Sequence, residues 1–311
     1  MTKPNNYKLP EFEQNLDEQE VAQIRQGVMT NQLTKIIANK KNTEIDPFSG
    51  ITIYQKNENF QLNFIDMDFA KYQGYTTTTS MFLDILIYKL TQKGANSPQI
   101  NITIKEFMKL RGLKNEKKAR EQIKRELEVL FCSRISFKDT TSGKFRNYLD
   151  INLLDAKGII KNGVIYVTLG LHFFALVKNY PLMIMPVNIF TLDISKNPHS
   201  YYICRKIAEH LRMNLGKPNE NIISIKTLVE SCPGLPKYET VSQTGRQVNQ
   251  RIIQPFVRDL EELEKFFDWE FCNNKQQPLT DEQLTLEDYN TFIELYIKVK
   301  WKANVKIPTL K

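Results

Sequence analysis

The period of apolar positions changes several times along the chain, and each change predicts an element. In ITIYQKNENFQLNFI, near residues 50–66, apolar and polar residues alternate on both sides of KNEN. That period-two pattern predicts two short strands joined by a turn. Upstream, residues 1 to about 15 are polar. Within residues 16–40, LDEQEVAQIRQGVMTNQLTKII has a weak helical pattern, and DPFSG then breaks the chain.

From residue 76 the period becomes helical. TTTTSMFLDILIYKLTQKG offers hydroxyl groups for a helix start, then an apolar stripe, then Gly94 as a stop. ITIKEFMKLRG predicts a short helix behind Thr103, with Thr103 and Glu106 at capping-box spacing and Gly112 making the turn. In KNEKKAREQIKRELEVL, Ala119, Ile123, Leu127 and Leu130 share one helical face. RISFK and KFRNYLDINLL, on either side of DTTSG, read as a hairpin. Helix, strand-like link, helix, turn, helix, hairpin is the element order of a winged helix, with the hairpin as wing.

The order recurs in the second half. NPHSYYICRKIAEHLRMNLG reads as a helix ending at Gly216, and IISIKTLVESC mirrors NITIKEFMKLRG. PGLPKYETVS reads as a loop, QTGRQVNQRIIQ as a helix running on to PFVRDLEELEKF, and DWEF and TFIELYIKVKWK as strands of a long second wing. A small helix after Thr280 fits between those strands. Residues 155–190 hold the joint, with GVIYVTLG a strand and LHFFALV a short helix. The expectation is an α+β chain: two tandem winged-helix domains related by pseudo-duplication, behind an N-terminal extension with a helix and a β-hairpin. The boundaries expected are 1–74, 75–180 and 181–311.

Charge then suggests the partner. The 311 residues carry a formal net charge of +8, and hydrophobic residues make up 41%. That is enough for real cores, and the basic surplus points to nucleic acid. From Thr103 to Arg146, thirteen Lys or Arg stand against six Asp or Glu, nearly the whole surplus. No run of 18 apolar residues exists and MTKPNNYKLPEFEQ lacks an apolar signal core, so no membrane is expected. Cys132, Cys204, Cys232 and Cys272 form no CxxC and read as reduced, mostly buried thiols of a cytoplasmic protein. His172, His199 and His210 are isolated, and no GxxxxGK[ST] loop or Ser/His/Asp set is visible. The chain is therefore expected to be a binding protein and not an enzyme, with no catalytic residues, metal or cofactor.

The two third helices differ. In the second, a helical wheel sets Val248, Ile252 and Phe256 inward. Gln243, Arg246, Gln247, Gln250 and Gln254 point outward, with Arg251 flanking them. Arg forks onto guanine and Gln or Asn onto adenine in the major groove, and no acid interrupts this face. Thr244 and Asn249 complete the expected base-reading set. Thr244 with Gln247, or Thr240 with Gln243, fits a capping box, and Pro255 predicts a kink or break. In the first, Lys114, Lys117, Lys118, Arg120, Lys124 and Arg125 face outward, mixed with Glu121 and Glu128. Glu116 with Arg120, and Glu121 with Arg125, are spaced to pair, so a salt-bridged solvated face competes with DNA contact. Lys138, Lys144 and Arg146 place charge on the expected wing. The first module reads as a phosphate holder and the second as the base reader.

The chain resembles the iteron-binding replication initiators of theta-replicating plasmids. The residues that carry this are ITIKEFMKLRGLKNEKKAREQIKRELEVL with RISF, then HSYYICRKIAEHL, ISIKTLVESC and KYETVSQTGRQVNQRIIQPFVRDLEEL. The hairpin near residues 50–66 and the long second wing depart from the pattern. The resemblance implies binding of direct repeats at a plasmid origin as double-stranded DNA, and a role in copy control. It also implies a homodimer that represses its own gene, and the host initiator DnaA and replicative helicase as partners. The competing expectations are a winged-helix transcriptional regulator and, against the missing His-x-His pair, a rolling-circle nicking enzyme.

Overall fold

The computed structural model of the chain describes residues 21–139, 147–159, 162–243, 247–279 and 288–302. Strand β1 (Val21–Arg25) and helix α1 (Val28–Leu33) come first. Strands β2 (Glu44–Ile45), β3 (Thr52–Asn57) and β4 (Phe60–Phe64) and the short α2 (Phe69–Tyr72) follow. The first winged-helix set is α3 (Thr77–Gln92), β5 (Gln99–Thr103), α4 (Ile104–Arg111) and α5 (Glu116–Cys132). Four strands come next: β6 (Ser133–Asp139), β7 (Asn147–Asn152), β8 (Leu154–Ile159) and β9 (Val164–Leu169). Helix α6 (Leu171–Val177), β10 (Leu182–Pro186) and a 3₁₀ turn (Val187–Thr191) make the joint.

The second set is α7 (Ser200–Met213), β11 (Ile222–Ser224), α8 (Ile225–Glu230) and α9 (Tyr238–Ser242). A π-helical turn (Asn249–Ile253) runs into α10 (Gln254–Glu261), then β12 (Phe267–Cys272), α11 (Tyr289–Ile293) and β13 (Tyr296–Trp301).

The duplication is visible in the sheets. Two three-stranded antiparallel sheets have the orders β5-β9-β8 and β11-β13-β12, so the strand before each second helix pairs with the last strand of a hairpin. The strand-to-helix joint is also built the same way twice. The Thr103 hydroxyl accepts the Glu106 N–H at 3.1 Å, and the Ser224 hydroxyl accepts the Thr227 N–H at 3.2 Å. Ile100, Ile102 and Ile104 in one copy, and Ile223 and Ile225 in the other, are buried at period two as the strand turns into its helix. The architecture is α+β with winged-helix modules.

Several expectations need correction. The first wing is β8–β9, so GVIYVTLG is a wing strand and not part of the joint. RISFK and the NYLDIN part of the second segment instead form β6 and β7, inside a five-stranded sheet of order β2-β3-β4-β6-β7. Leu62, Ile135 and Ile151 lie side by side across three of its strands, all buried. Alternation marks a strand but not its partner, and the two hairpins bury their apolar faces together. The weak helical pattern near residues 16–40 divides. Val21–Arg25 is a strand paired with β10, with Ala22 and Ile24 buried, and among the described residues of this stretch only Val28–Leu33 is helical. KYETVS is not loop throughout, since α9 occupies Tyr238–Ser242.

The core is continuous through both modules. Helix α3 is buried over most of its surface, its hydroxyl residues and Asp84 included, and not along the expected apolar stripe alone. Its Asp84, 0% exposed, forms an ion pair with Arg205 of α7, 2% exposed. The Tyr201 hydroxyl donates to the same carboxylate at 2.6 Å, and Thr77 and Tyr202 share a hydroxyl hydrogen bond of 2.9 Å. The first helices of the two modules are thus joined by buried polar contacts. All four cysteines are free and buried. Among the described residues, no helix is long and apolar enough to cross a membrane.

Candidate nucleic-acid interface

Helix α5 starts where Asn115 accepts the Lys118 N–H at 3.0 Å. Ala119, Ile123, Leu127 and Leu130 are buried, as their spacing predicts. Lys114, Lys117, Lys118 and Lys124 are exposed on the other side, and no ion pair holds them among the described residues. Arg120 pairs with Glu116 at 2.6 Å, also as spaced. Arg125 does not pair with Glu121. Its guanidinium turns to Glu126, with Nε to Oε1 at 2.9 Å, and the buried Glu126 also accepts the Thr79 hydroxyl at 2.6 Å. A carboxylate anchored from α3 holds Arg125 more firmly than a solvated Glu121 does. The free cations of α5 are therefore its lysines.

Lys138 is exposed on β6 and so belongs to the five-stranded sheet, not to a wing. Lys144 and Arg146 lie outside the described residues. On the actual wing, Lys157 pairs with Glu128 and stands 4.4 Å over the Phe131 ring, so it braces the wing against α5. Lys105 and Lys109 on α4 are exposed and extend the basic surface beyond the residues singled out from sequence.

In the second module the stretch QTGRQVNQRIIQ is not one helix. Gln243 is exposed just after α9, and Thr244 and Arg246 lie outside the described residues. Gln247 has φ +87°, a left-handed backbone that ends any helical wheel there. Thr240 sits within α9, whose N-cap position is Lys237, so it caps nothing. Helical geometry resumes at Val248. From there Ile252, Ile253 and Phe256 are buried and Val248 half-buried, while Gln250, Arg251 and Gln254 are exposed and Asn249 is half-buried. The inward seam is as the wheel predicts. The outward stripe survives only from Gln250 onward.

Pro255 does not break the helix. The Gln254 N–H donates to the Asn249 carbonyl, five residues back, in a π-helical turn. A proline nitrogen cannot bond to the Arg251 carbonyl as an α-helix requires, and the wider turn accommodates that loss while the chain stays helical. The neighbouring carboxylate Asp259 points inward, buried against Arg258 at 2.8 Å and the His199 backbone N–H at 2.6 Å. No acid therefore stands among the exposed residues 247–254.

Two aromatic contacts that the sequence did not signal brace this region. Tyr238 of α9 stacks on Tyr289 of α11 at 4.3 Å and 8°, and Phe256 meets Phe292 edge-on at 5.8 Å. The helix inserted in the second wing thus packs on both sides of the candidate reading stretch. On β13, Lys298 and Lys300 lie 3.9 Å from Glu270 and Asp268 of β12, so this strand face is close to neutral. Burial, then the nearby Arg258, pushes the His199 pKa down to about 4. No group of three or more His, Cys, Asp or Glu side chains gathers as for a metal ion, among the described residues.

No protein-family model matches the chain, and no curated protein matches it in sequence. Solved structures are similar to it in fold. One is the Pi initiator protein in complex with iteron DNA, at 10% identity and a TM-score of 0.49, covering 92% of this chain and 98% of that one. A second holds domains 2 and 3 of RctB, at 9% identity and a TM-score of 0.48, covering 90% of this chain and 99% of that one. Another structure of the RctB domains has 10% identity and a TM-score of 0.47, covering 88% and 97%. Over most of its length the chain is thus similar to an iteron-bound initiator protein and to RctB.

Proposed function

We propose that this chain is a sequence-specific double-stranded DNA-binding protein that initiates plasmid replication by binding direct repeats at the origin. The observation that carries the reading is the repeated winged-helix set with unlike third helices. One presents unpaired lysines and the other an exposed, acid-free run of Gln250, Arg251 and Gln254. Point charges without base-shaped hydrogen bonding hold phosphate, whereas amides and guanidinium groups fork onto bases. The sequence resemblance to iteron-binding initiators supports the same reading.

The first module, 75–180, grips through Lys114, Lys117, Lys118 and Lys124, and the second, 181–311, reads through Gln247, Gln250, Arg251 and Gln254. Gln243, Thr244, Arg246 and Asn249 extend the reading set, and Lys138, Lys144 and Arg146 the basic surface. Residues 1–74 form the extension. The protein acts in the bacterial cytoplasm as a binding protein, not as an enzyme, and represses its own gene as a homodimer. DnaA and the replicative helicase are its host partners, and copy control is the consequence.

An alanine scan separates grip from reading. Lys117→Ala and Lys124→Ala are expected to weaken binding to every duplex, each lowering the slope of log affinity against log salt by about 1. Arg251→Ala is expected to reduce discrimination at one base position by about 1–3 kcal/mol and to leave random DNA nearly unaffected. Equal losses of Arg251→Ala on specific and random DNA would contradict the division of labour.

A further inference from the structure

The end of α7 leaves an apolar surface that the DNA reading does not use. Along the helix, Ile203, Cys204, Ile207, Ala208 and Leu211 are buried. The pattern then fails: Met213 is 62% exposed, and Leu215, just past the helix, is 68% exposed. Beside them, Ile184 of β10, Ala208, Leu211, Leu215 and Trp301 of β13 line a solvent-open cavity of about 300 Å³.

The rim carries both signs of charge. Arg212 and Lys300 stand on it. Arg212 is half-buried, and no side-chain hydrogen bond or ion pair holds its guanidinium among the described residues. The one carboxylate on the rim, Glu220, already accepts the Gly216 N–H at 2.5 Å. Lys300 is offset by Asp268 of β12 at 3.9 Å, so Arg212 is the cation on this rim without a carboxylate partner among the described residues. A half-buried guanidinium without a partner favours a carboxylate, and an apolar floor favours leucine-like side chains. Nucleic acid offers no such apolar face. A second copy meeting this groove face to face would set Arg212 against its own like charge.

We propose that this groove docks an amphipathic helix of another protein, with apolar residues on the floor and an acidic residue on Arg212. The helix is of the type with leucines at i, i+3, i+4 and i+7 and glutamates flanking that stripe. The proposal is independent of how the modules read DNA.

The test uses the full chain and a fluorescein-labelled synthetic peptide of that pattern, about five helical turns long, with a scrambled peptide of equal composition as control. Anisotropy titration is expected to show saturable binding of the patterned peptide, about tenfold or more tighter than the scrambled one. Leu215→Asp and Arg212→Glu are each expected to weaken it by about tenfold. A peptide with lysines in place of the glutamates is expected to recover binding on Arg212→Glu. Both positions are solvent-accessible, and unchanged thermal melting and DNA binding confirm that the variants fold.

Four results would overturn the proposal. They are equal or absent binding of the two peptides, peptide displacement by random duplex DNA, and a concentration-dependent dimer lost in Leu215→Asp. The fourth is peptide binding that appears only once residues 303–311 are removed, which would place this chain's own end in the groove.

Discussion

Gln250, Arg251 and Gln254 are exposed because the residues between and beside them, Ile252, Ile253 and Phe256, are buried. The apolar seam of one helix thus aims its polar groups outward. At the same scale, His199 couples stability to pH. Its ring is buried, with Nδ1 lacking a hydrogen-bond partner among the described residues, and burial pushes its pKa to about 4 from the ordinary value of 6.5. The unfolded chain therefore binds more protons between those values, so stability falls as pH drops through this window. Chemical denaturation at pH 7 and pH 5 is expected to show His199→Gln losing about 2 kcal/mol less than the native chain over that step. An identical pH dependence of the two proteins would rule out this residue as the source.

Among the elements, the candidate reading stretch shows what the sequence made legible and what it did not. The wheel correctly placed Ile252 and Phe256 inward, because spacing along a continuous helix settles which residues share a face. It failed at Gln247, whose left-handed backbone is a choice glutamine does not advertise. Gln247→Gly is expected to relieve that strain and stabilise the fold by about 1 kcal/mol. The measure is a higher urea midpoint at unchanged m-value, accompanied by weaker discrimination on specific DNA. A lower midpoint would mean that the Gln247 side chain contributes more than its backbone costs.

The hairpins show a second limit. Period-two alternation in residues 51–65 and 134–152 identified β3, β4, β6 and β7, yet their partnership in one sheet depends on residues some 70 positions apart, such as Asn63 and Ser136. Local patterns do not encode such pairing. The lysines of α5 were legible as an exposed face, whereas the turning of Arg125 to Glu126 depends on Thr79 from another helix.

Across the whole molecule, Asp84 and Arg205 join the two modules within one core. Neither charge reaches water, so each relies on the other. Asp84→Ala leaves the Arg205 charge uncompensated and is expected to cost about 3–5 kcal/mol. The double change Asp84→Leu with Arg205→Met, which removes both charges, is expected to cost much less, because no buried ion is left alone. Calorimetric unfolding of the three proteins checks this, and a double variant as unstable as Asp84→Ala would show that packing, not charge, fixes the joint.

Asp84 and Arg205 tie the modules within one core, and the proposed function requires both modules to engage tandem repeats on one face of the DNA. The most direct measurement is a footprint of the full chain on a duplex that carries tandem repeats of about 20 base pairs, a length that suits two modules about two helical turns apart. The account predicts protection of every repeat, strong at salt concentrations where random duplex is released. Protection of a lone palindrome, or none beyond that on random DNA, would contradict it.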